Sequence, residues 1–559
     1  MRLPRMKTSL LSLAIGLMTL LSSPLQASAW TDFPLASGAR AVYVSSSEGH
    51  DANDGLTPAT AKRTLTGTPS PTPTNPNAVL PGGFALVREG AGDHLYLKRG
   101  DTFSEPYLVV WNRSGLSSAY PAVLGAYGTG PRPVIDRGSD NGMHISPRTG
   151  PTVRHVAVTG IHFRASARDW SRPGFAVTPG TPGIFVGAGG ATAFPIVDDV
   201  LVEDCKFELL GGGVSLVGPQ FDSIRNVRLN RNVFADIYVP NGHTNAVYAS
   251  NVTGLTVEEN LIDGVQRTAI AAGVPNVYDT ALSHSVYVQS DTRQVILRDN
   301  IMARAFDGGM MRPGGAYLRN LALQVSIGSH HGYMFSASAP IISEGVEASV
   351  IGNAVLGAWQ YGIQIGNIRQ GFAGDNLMLS SGTANGVAFN LIGRTGQDTT
   401  PAQIGLHNLT IFHNFVLGRE ALNAAGPVFS NIAVTQNQFR SPARIVTHID
   451  YEAGDFHYAA NRYRSDGASP AWFRVLTTNY DLPGWAAFIP EPDATTAPPI
   501  DPATIPSVGT YHAFIGGAPT EAAFLTAARE QSRQNWDQRY MAAPVIIHLR
   551  RELGLLGGQ

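Results

Sequence analysis

The chain has 559 residues, 40 basic and 42 acidic side chains and a formal net charge of −2, with only 15% of residues charged. That balance excludes the basic footprint of a nucleic-acid binder. The 61 glycines and 37 prolines interrupt the chain too often for a mainly helical protein, and a single cysteine, Cys205, excludes an internal disulfide.

Residues 1–29 predict a secretory signal peptide. Arg2, Arg5 and Lys7 precede an apolar run from Leu10 to Leu21, and Ala27-Ser28-Ala29 is an A-x-A cleavage site that leaves Trp30 first. The mature chain is then exported, to the periplasm or the exterior. The apolar run is too short to be a good membrane span, and no later run is long enough to anchor the mature chain.

Residues 30–150 carry "AVYVSSSEGHDANDGLTPATAKRTL" (41–65), in which "HDANDG" (50–55) reads as a turn more than as a calcium loop, then "HLYLKRGDTF" and "GAYGTGPRPVID".

Over 151–465 one pattern recurs: alternating apolar residues, two polar residues, a slot, and another apolar residue two further on. It appears as "VRLNRNVF", "LTVEENLI", "VILRDNIM", "ASVIGNAV", "LTIFHNFV" and "IAVTQNQF", with Asn232, Asn260, Asn300, Asn353, Asn414 and Asn437 in the slot. Weaker copies place Ile161, Cys205, Ser326 and Gly382 there. Slot spacings run from 23 residues (Asn414 to Asn437) to 44 (Ile161 to Cys205), the range of a repeat architecture. Each copy alternates with period two and cannot bury its apolar face alone, whereas stacked copies can. Asparagine suits the slot because it tolerates unusual backbone angles and its amide can bond to the same amide one rung away. This predicts an all-β, single-stranded parallel β-helix.

With these motifs the chain resembles the secreted right-handed parallel β-helix proteins of the pectate-lyase-like superfamily, over roughly 40–465, and the resemblance implies that residues 30–150 form an N-terminal cap and first rungs. That superfamily holds polysaccharide lyases, hydrolases, C5-epimerases and non-enzymes, so the resemblance speaks to fold before activity.

The tail, 466–559, reads as a Pro- and Ala-rich linker ("WAAFIPEPDATTAPPIDPATIPSVG", 485–509) and a helical segment starting at Thr520-Glu521. Its apolar positions, Leu525, Ala528, Trp536, Tyr540 and Ile546, are expected to pack on the β-helix or cap an end.

Two long slot spacings mark inserted loops, after Ile161 and after Asn260, and such loops often wall a binding site. A second strand family follows the slots, among them "AVYAS" (246–250), "SVYVQ" (285–289), "GMMRP" (309–313), "GYMFS" (332–336) and "GIQIG" (362–366). Alternation places Val247, Ala249, Val286 and Val288 inside. It places Tyr248, Tyr287, Gln289, Met334 and Gln364 outside, with Met311 or Arg312 in the same column. His243, Asn245, His284, Asp307, His330 and His331 flank these strands.

Eliminative cleavage of a uronic-acid polymer needs a base for the C5 proton, an acid for the leaving oxygen and a cation for the carboxylate. The candidate catalytic residues are His284 and Tyr287 as the acid/base pair and Arg312 as carboxylate neutraliser, with Arg267 second. Candidate substrate-binding residues are His243, Tyr248, Gln289, Asp307, His330 and His331. Each has a plainer reading: the histidines and Asp307 as turn residues, the tyrosines as a stacked pair, Arg312 as a structural tie.

No cofactor is expected. Calcium, on which many pectate lyases depend, is not favoured: the mature chain has only Lys62, Lys98 and Lys206, and the one acidic cluster is Asp198, Asp199, Glu203 and Asp204 beside Lys206. The partner is an acidic polysaccharide, cleaved by β-elimination. The alternatives are a non-catalytic carbohydrate-binding or matrix protein, a uronan C5-epimerase, and a glycoside hydrolase using Asp263 and Asp307.

Overall fold

The computed structural model describes residues 29–556, apart from 71–74, 76–77, 106–108, 139, 141, 148–149, 151, 188–194, 333–344, 381–385, 394–404 and 468. Nearly all of the expected signal segment, and Met334 and Gly382, lie outside the described residues.

Successive strands turn through three sheets and return to the first, which is the path of a parallel β-helix. One full turn runs Val252–Glu258, Leu261–Val265 and His284–Val288, and the next begins at Arg293–Arg298, paired in parallel on Val252–Glu258. Among the described residues the three sheets have 16, 14 and 14 strands, and Gly67–Pro69 pairs separately with Val79–Pro81. The first starts at Ala41–Val44 and its path ends at Phe456–Ala459. The third ends with Phe473–Val475, paired antiparallel with Thr478–Tyr480. Rungs thus extend beyond the repeat visible in the sequence at both ends.

The slot residues form one continuous amide ladder inside the solenoid. Asn232 Oδ1 accepts from the Cys205 N–H at 2.9 Å, Asn260 Oδ1 from Asn232, and the chain of bonds runs on through Asn300, Asn320, Asn353, Asn376, Asn414, Asn437 and Asn461. Each amide nitrogen also donates to the next amide oxygen, for example Asn260 Nδ2 to Asn300 Oδ1 at 2.9 Å. Two slots therefore differ from expectation: Asn320 takes the place given to Ser326, and Asn376 the place given to Gly382. Ser326 sits in the turn after, its N–H bonded to Phe306 O.

The reason for asparagine differs as well. The left-handed backbone falls on the residue before the slot, at Asp204, Arg231, Glu259, Asp299, Arg319, Asp375, His413, Gln436 and Ala460. The asparagine is selected for its amide, not its φ.

Residues on both sides of the second sheet are apolar because both faces are covered. Phe163, Phe207 and Phe234 stack inside, with centroids 5.3 and 4.7 Å apart. Val233, Leu261, Ile301, Leu321, Ala354, Leu377 and Phe415 point the other way, into a second core with Val508, Tyr511, Phe524, Leu525, Val545, Ile546 and Leu549. The helices Val508–Phe514, Glu521–Arg529 and Ala542–Glu552 supply those partners. The helical tail thus packs along the side of the solenoid.

The end is closed by the stretch expected to be a linker. Helix Leu482–Phe488 buries Trp485, which stacks on Phe473 at 4.5 Å. Glu491 then occupies the ladder's last position. Its Oε1 accepts from the Asn461 amide at 2.8 Å, and its Oε2 accepts from Tyr463 Oη and Trp485 Nε1. A residue that accepts without donating is what the final rung requires.

Candidate active site

The third sheet carries the site on its outward face. Parallel register places Ser215, Tyr248, Tyr287, Met310, His330, Gln364, Asn390, Asn423 and Thr447 in one column. Val247, Ala249, Val286 and Val288 point into the core, as alternation requires. Two residues further along the strands, Gln289 and Arg312 lie beside each other.

Close stacking at the strand entry depends on glycine. A Cβ on Gly308 would lie 2.3 Å from Gly328 O, and one on Gly328 would lie 2.4 Å from Gly362 O. The "DGG" sequence lets these rungs approach and seats Asp307 against His284, its register partner on the adjacent strand.

The cluster is tight and dry. His284 and Asp307 are fully buried, with His284 Nδ1 2.9 Å from Asp307 Oδ2. His330 Nδ1 lies 3.4 Å from the same oxygen, so one carboxylate serves histidines on both sides. The His284–Asp307 contact falls outside hydrogen-bond angles. Nε2 of His284 is buried with no hydrogen-bond partner among the described residues.

The His284 ring packs on Tyr287 with centroids 4.7 Å apart, and Tyr248 meets Tyr287 edge-on at 5.5 Å. The Arg312 guanidinium lies 5.2 Å from the Tyr287 ring centre, donates to Gln289 Oε1 at 3.2 Å, and Gln289 in turn donates to Tyr248 Oη at 3.3 Å.

Burial pushes the Tyr287 phenol above its ordinary value, against a smaller downward pull from Arg312. Burial pushes His330 down, opposed by Asp307. At neutral pH the phenol keeps its proton and His330 is neutral.

The two insertions pack on each other. Trp170, Phe175 and Val177 of the first pack with Ala269, Val274 and Val277 of the second, over Leu209 and Tyr238. Arg168 is fully buried beneath them, 4.0 Å from the Tyr238 ring centre. Arg267, opening the short helix Arg267–Ala271, pairs with Asp279, stacks 3.7 Å over the Trp359 ring and adds its charge to the field at Asp307.

Several expectations are corrected. His331 points into the solenoid, where Nε2 meets Ser329 Oγ at 3.0 Å and the ring packs on Tyr317. Burial pushes it down to about 3, so it is no groove residue. His243 is exposed and bonded to Thr280 Oγ1 at 3.0 Å. His284, expected to flank its strand, is the strand's first residue and fully buried. Met310, not Met311 or Arg312, continues the tyrosine column, and Met311 is core.

Asp263 lies on the second sheet, held by Arg304 and Arg529, and so does not share a site with Asp307. The acidic group near Lys206 is dispersed among partners: Asp199 with His155, Glu203 with Arg231 and Asp204 with Arg132. Among the described residues no three His, Cys, Asp or Glu side chains are placed to hold a metal ion.

No family model and no curated protein matches the chain. Among solved structures it is similar to a mannuronic acid specific polysaccharide family 6 lyase from human gut microbiota, at 13% identity over 78% of this chain and 93% of that one (TM-score 0.42). It is similar to XylC, solved in complex with xylose, at 9% over 77% and 86% (TM-score 0.46). It is also similar to PfbA, a surface adhesin of Streptococcus pneumoniae, at 10% over 67% and 77% (TM-score 0.38). At these identities the likenesses bear on fold alone, and the chemistry rests on the side chains.

Proposed function

We propose that the chain is an exported enzyme, working in the periplasm or outside the cell, that cleaves an acidic, uronate-containing polysaccharide by β-elimination. The observation that carries this reading is the buried His284–Asp307–His330 cluster packed against Tyr287, with Arg312 over the same ring.

Each group has a role. Arg312 neutralises the substrate carboxylate and so stabilises the charge that develops when the C5 proton leaves. His284 takes that proton at Nε2, while the Asp307 carboxylate offsets the imidazolium that results. The electron pair left on C5 forms the C4–C5 double bond, the bond from C4 to the linking oxygen breaks, and Tyr287 gives that oxygen its proton. Burial, which raises the phenol, keeps that proton in place at neutral pH until it is given up. A C5-epimerase shares the first step and differs only in returning the proton without breaking the C4–O bond. The hydrolase alternative has lost its second carboxylate, since Asp263 is occupied by Arg304 and Arg529.

The test is ultraviolet absorbance of the new double bond across a panel of polyuronates. Absorbance growing with wild type and absent with Tyr287→Phe is expected. Binding with no product on every polymer would turn the reading to a carbohydrate-binding module, and new reducing ends without absorbance would turn it to hydrolysis.

A further inference from the structure

We propose that the same outward face carries a second saccharide-recognition patch, made of Gln364, Asn390, Asn423 and Glu420, which grips hydroxyl groups of the polymer several sugar units from the reacting bond and sets a preference for long chains. It deepens the polysaccharide reading above and rests on it.

The patch continues the tyrosine column. Gln364, Asn390, Asn423 and Thr447 are consecutive register partners, and Asn423 stands five rungs from Tyr287, roughly 24 Å at ~4.8 Å per rung. A linear polymer lying along the solenoid axis would span both. Gln364 also supports His330, which joins the patch to the acid/base cluster.

Its hydrogen bonding is incomplete in a way the inner ladder's is not. Gln364, Asn390 and Thr447 are 7%, 6% and 5% exposed, yet the Asn423–Asn390 amide contact is long, at 3.4 Å. Asn423 Oδ1 is buried with no hydrogen-bond partner among the described residues, and Glu420 Oε1 is buried with only the Thr447 hydroxyl beside it as a poorly aligned donor. The inner asparagines, by contrast, bond their neighbours at 2.8–3.3 Å along the whole ladder. Buried amides and carboxylates are normally satisfied, so these acceptors point to a ligand that donates. Sugar hydroxyls both donate and accept, matching an amide column beside a carboxylate. The charges of Arg444 and Arg474 act on Glu420 and suit a polymer that also carries carboxylates.

The experiment uses the full chain and two probe series, oligogalacturonides and oligomannuronides of graded length. Affinity is measured by calorimetry at low temperature, alongside turnover. The expected result is that Asn390→Ala/Asn423→Ala weakens binding of the longest oligomers about tenfold and leaves the shortest bound oligomer and its turnover unchanged. Asn423→Ser alone, with a wild-type melting temperature, keeps the test decisive if the double variant fails to fold. Equal loss for short and long oligomers, or no length dependence in the wild type, overturns the patch. Length-dependent binding without cleavage supports the patch while failing the lyase reading. Cleavage without length dependence does the reverse.

Discussion

Replacing Asn300 by alanine removes four hydrogen bonds at the middle of the ladder. Asn300 Oδ1 accepts from Asn260 N at 3.0 Å and Asn260 Nδ2 at 2.9 Å, while Asn300 Nδ2 donates to Val257 O at 2.8 Å and to Asn320 Oδ1 at 2.9 Å. Two of the four partners keep other bonds: Asn260 Nδ2 to Leu229 O and Glu258 O, and Asn320 Oδ1 from the Asn300 N–H. The Asn260 backbone N–H loses its acceptor in a site water does not reach. One orphaned buried donor and the bonds not replaced come to about 4 kcal/mol, a large part of an ordinary protein's stability of about 5–15 kcal/mol. The assay is urea unfolding followed by circular dichroism and tryptophan fluorescence. The control is Asn431→Gly, which removes an exposed amide bond to Asn408 of 2.8 Å at a left-handed position that glycine accepts. That variant should lose no more than about 0.5 kcal/mol. Equal midpoints for the two variants would refute the ladder as a source of stability.

Three further outcomes follow from named contacts. Arg529→Met leaves the fully buried Asp263 with Arg304 as its one remaining guanidinium and releases Asp236. We expect a loss of about 3 kcal/mol and faster proteolysis within 505–541, and unchanged cleavage would contradict the docking role of this residue. His331 and His448 are buried with values near 3 against 6.5 when unfolded, so the unfolded chain binds more protons below pH 6.5. Stability should fall as pH drops from 6.5 towards 3, by up to ~1.4 kcal/mol per pH unit for each histidine, and His331→Asn should remove one share of that slope. Urea midpoints at pH 7, 6, 5 and 4 measure it, and an unaltered slope would be inconsistent with a neutral buried His331. Glu491→Ala should unfold more readily than Glu491→Gln, because glutamine keeps one oxygen for the Asn461 amide at the ladder's end. The two melting temperatures decide it, and equal values would remove Glu491 from its place as the ladder's terminus.

Much of the solenoid was legible because its signal is local and repeated. Six ladder asparagines announce themselves by alternation and spacing. Asn320 escapes because its rung is only 20 residues long, so the spacing rule looks past it to Ser326. Asn376 escapes because the strand before it, Ile368–Gly374, carries Arg369, Gln370 and two glycines that blur the alternation. The direction of Tyr248 and Tyr287 was legible from the valines between them. His330 and His331 were not separable, because Ser329 and His331 face inward and reverse the usual polarity, and a one-residue shift in register exchanges the faces. The pairing of Arg267 with Asp279 and Trp359 arises from an insertion folding back on the rungs, which no periodicity encodes.

On the proposed reading this face removes a proton next to a carboxylate, and proton NMR of a polyuronate incubated with the protein in deuterated water follows that proton. Loss of the C5 proton signal is expected with wild type, accompanied by a vinyl proton if C4–O breaks, and retention of the substrate spectrum with His284→Ala or Arg312→Ala of native fold. Intact C5 protons in a polymer whose chains are nonetheless shortened, or loss of C5 protons undiminished in both variants, would contradict it.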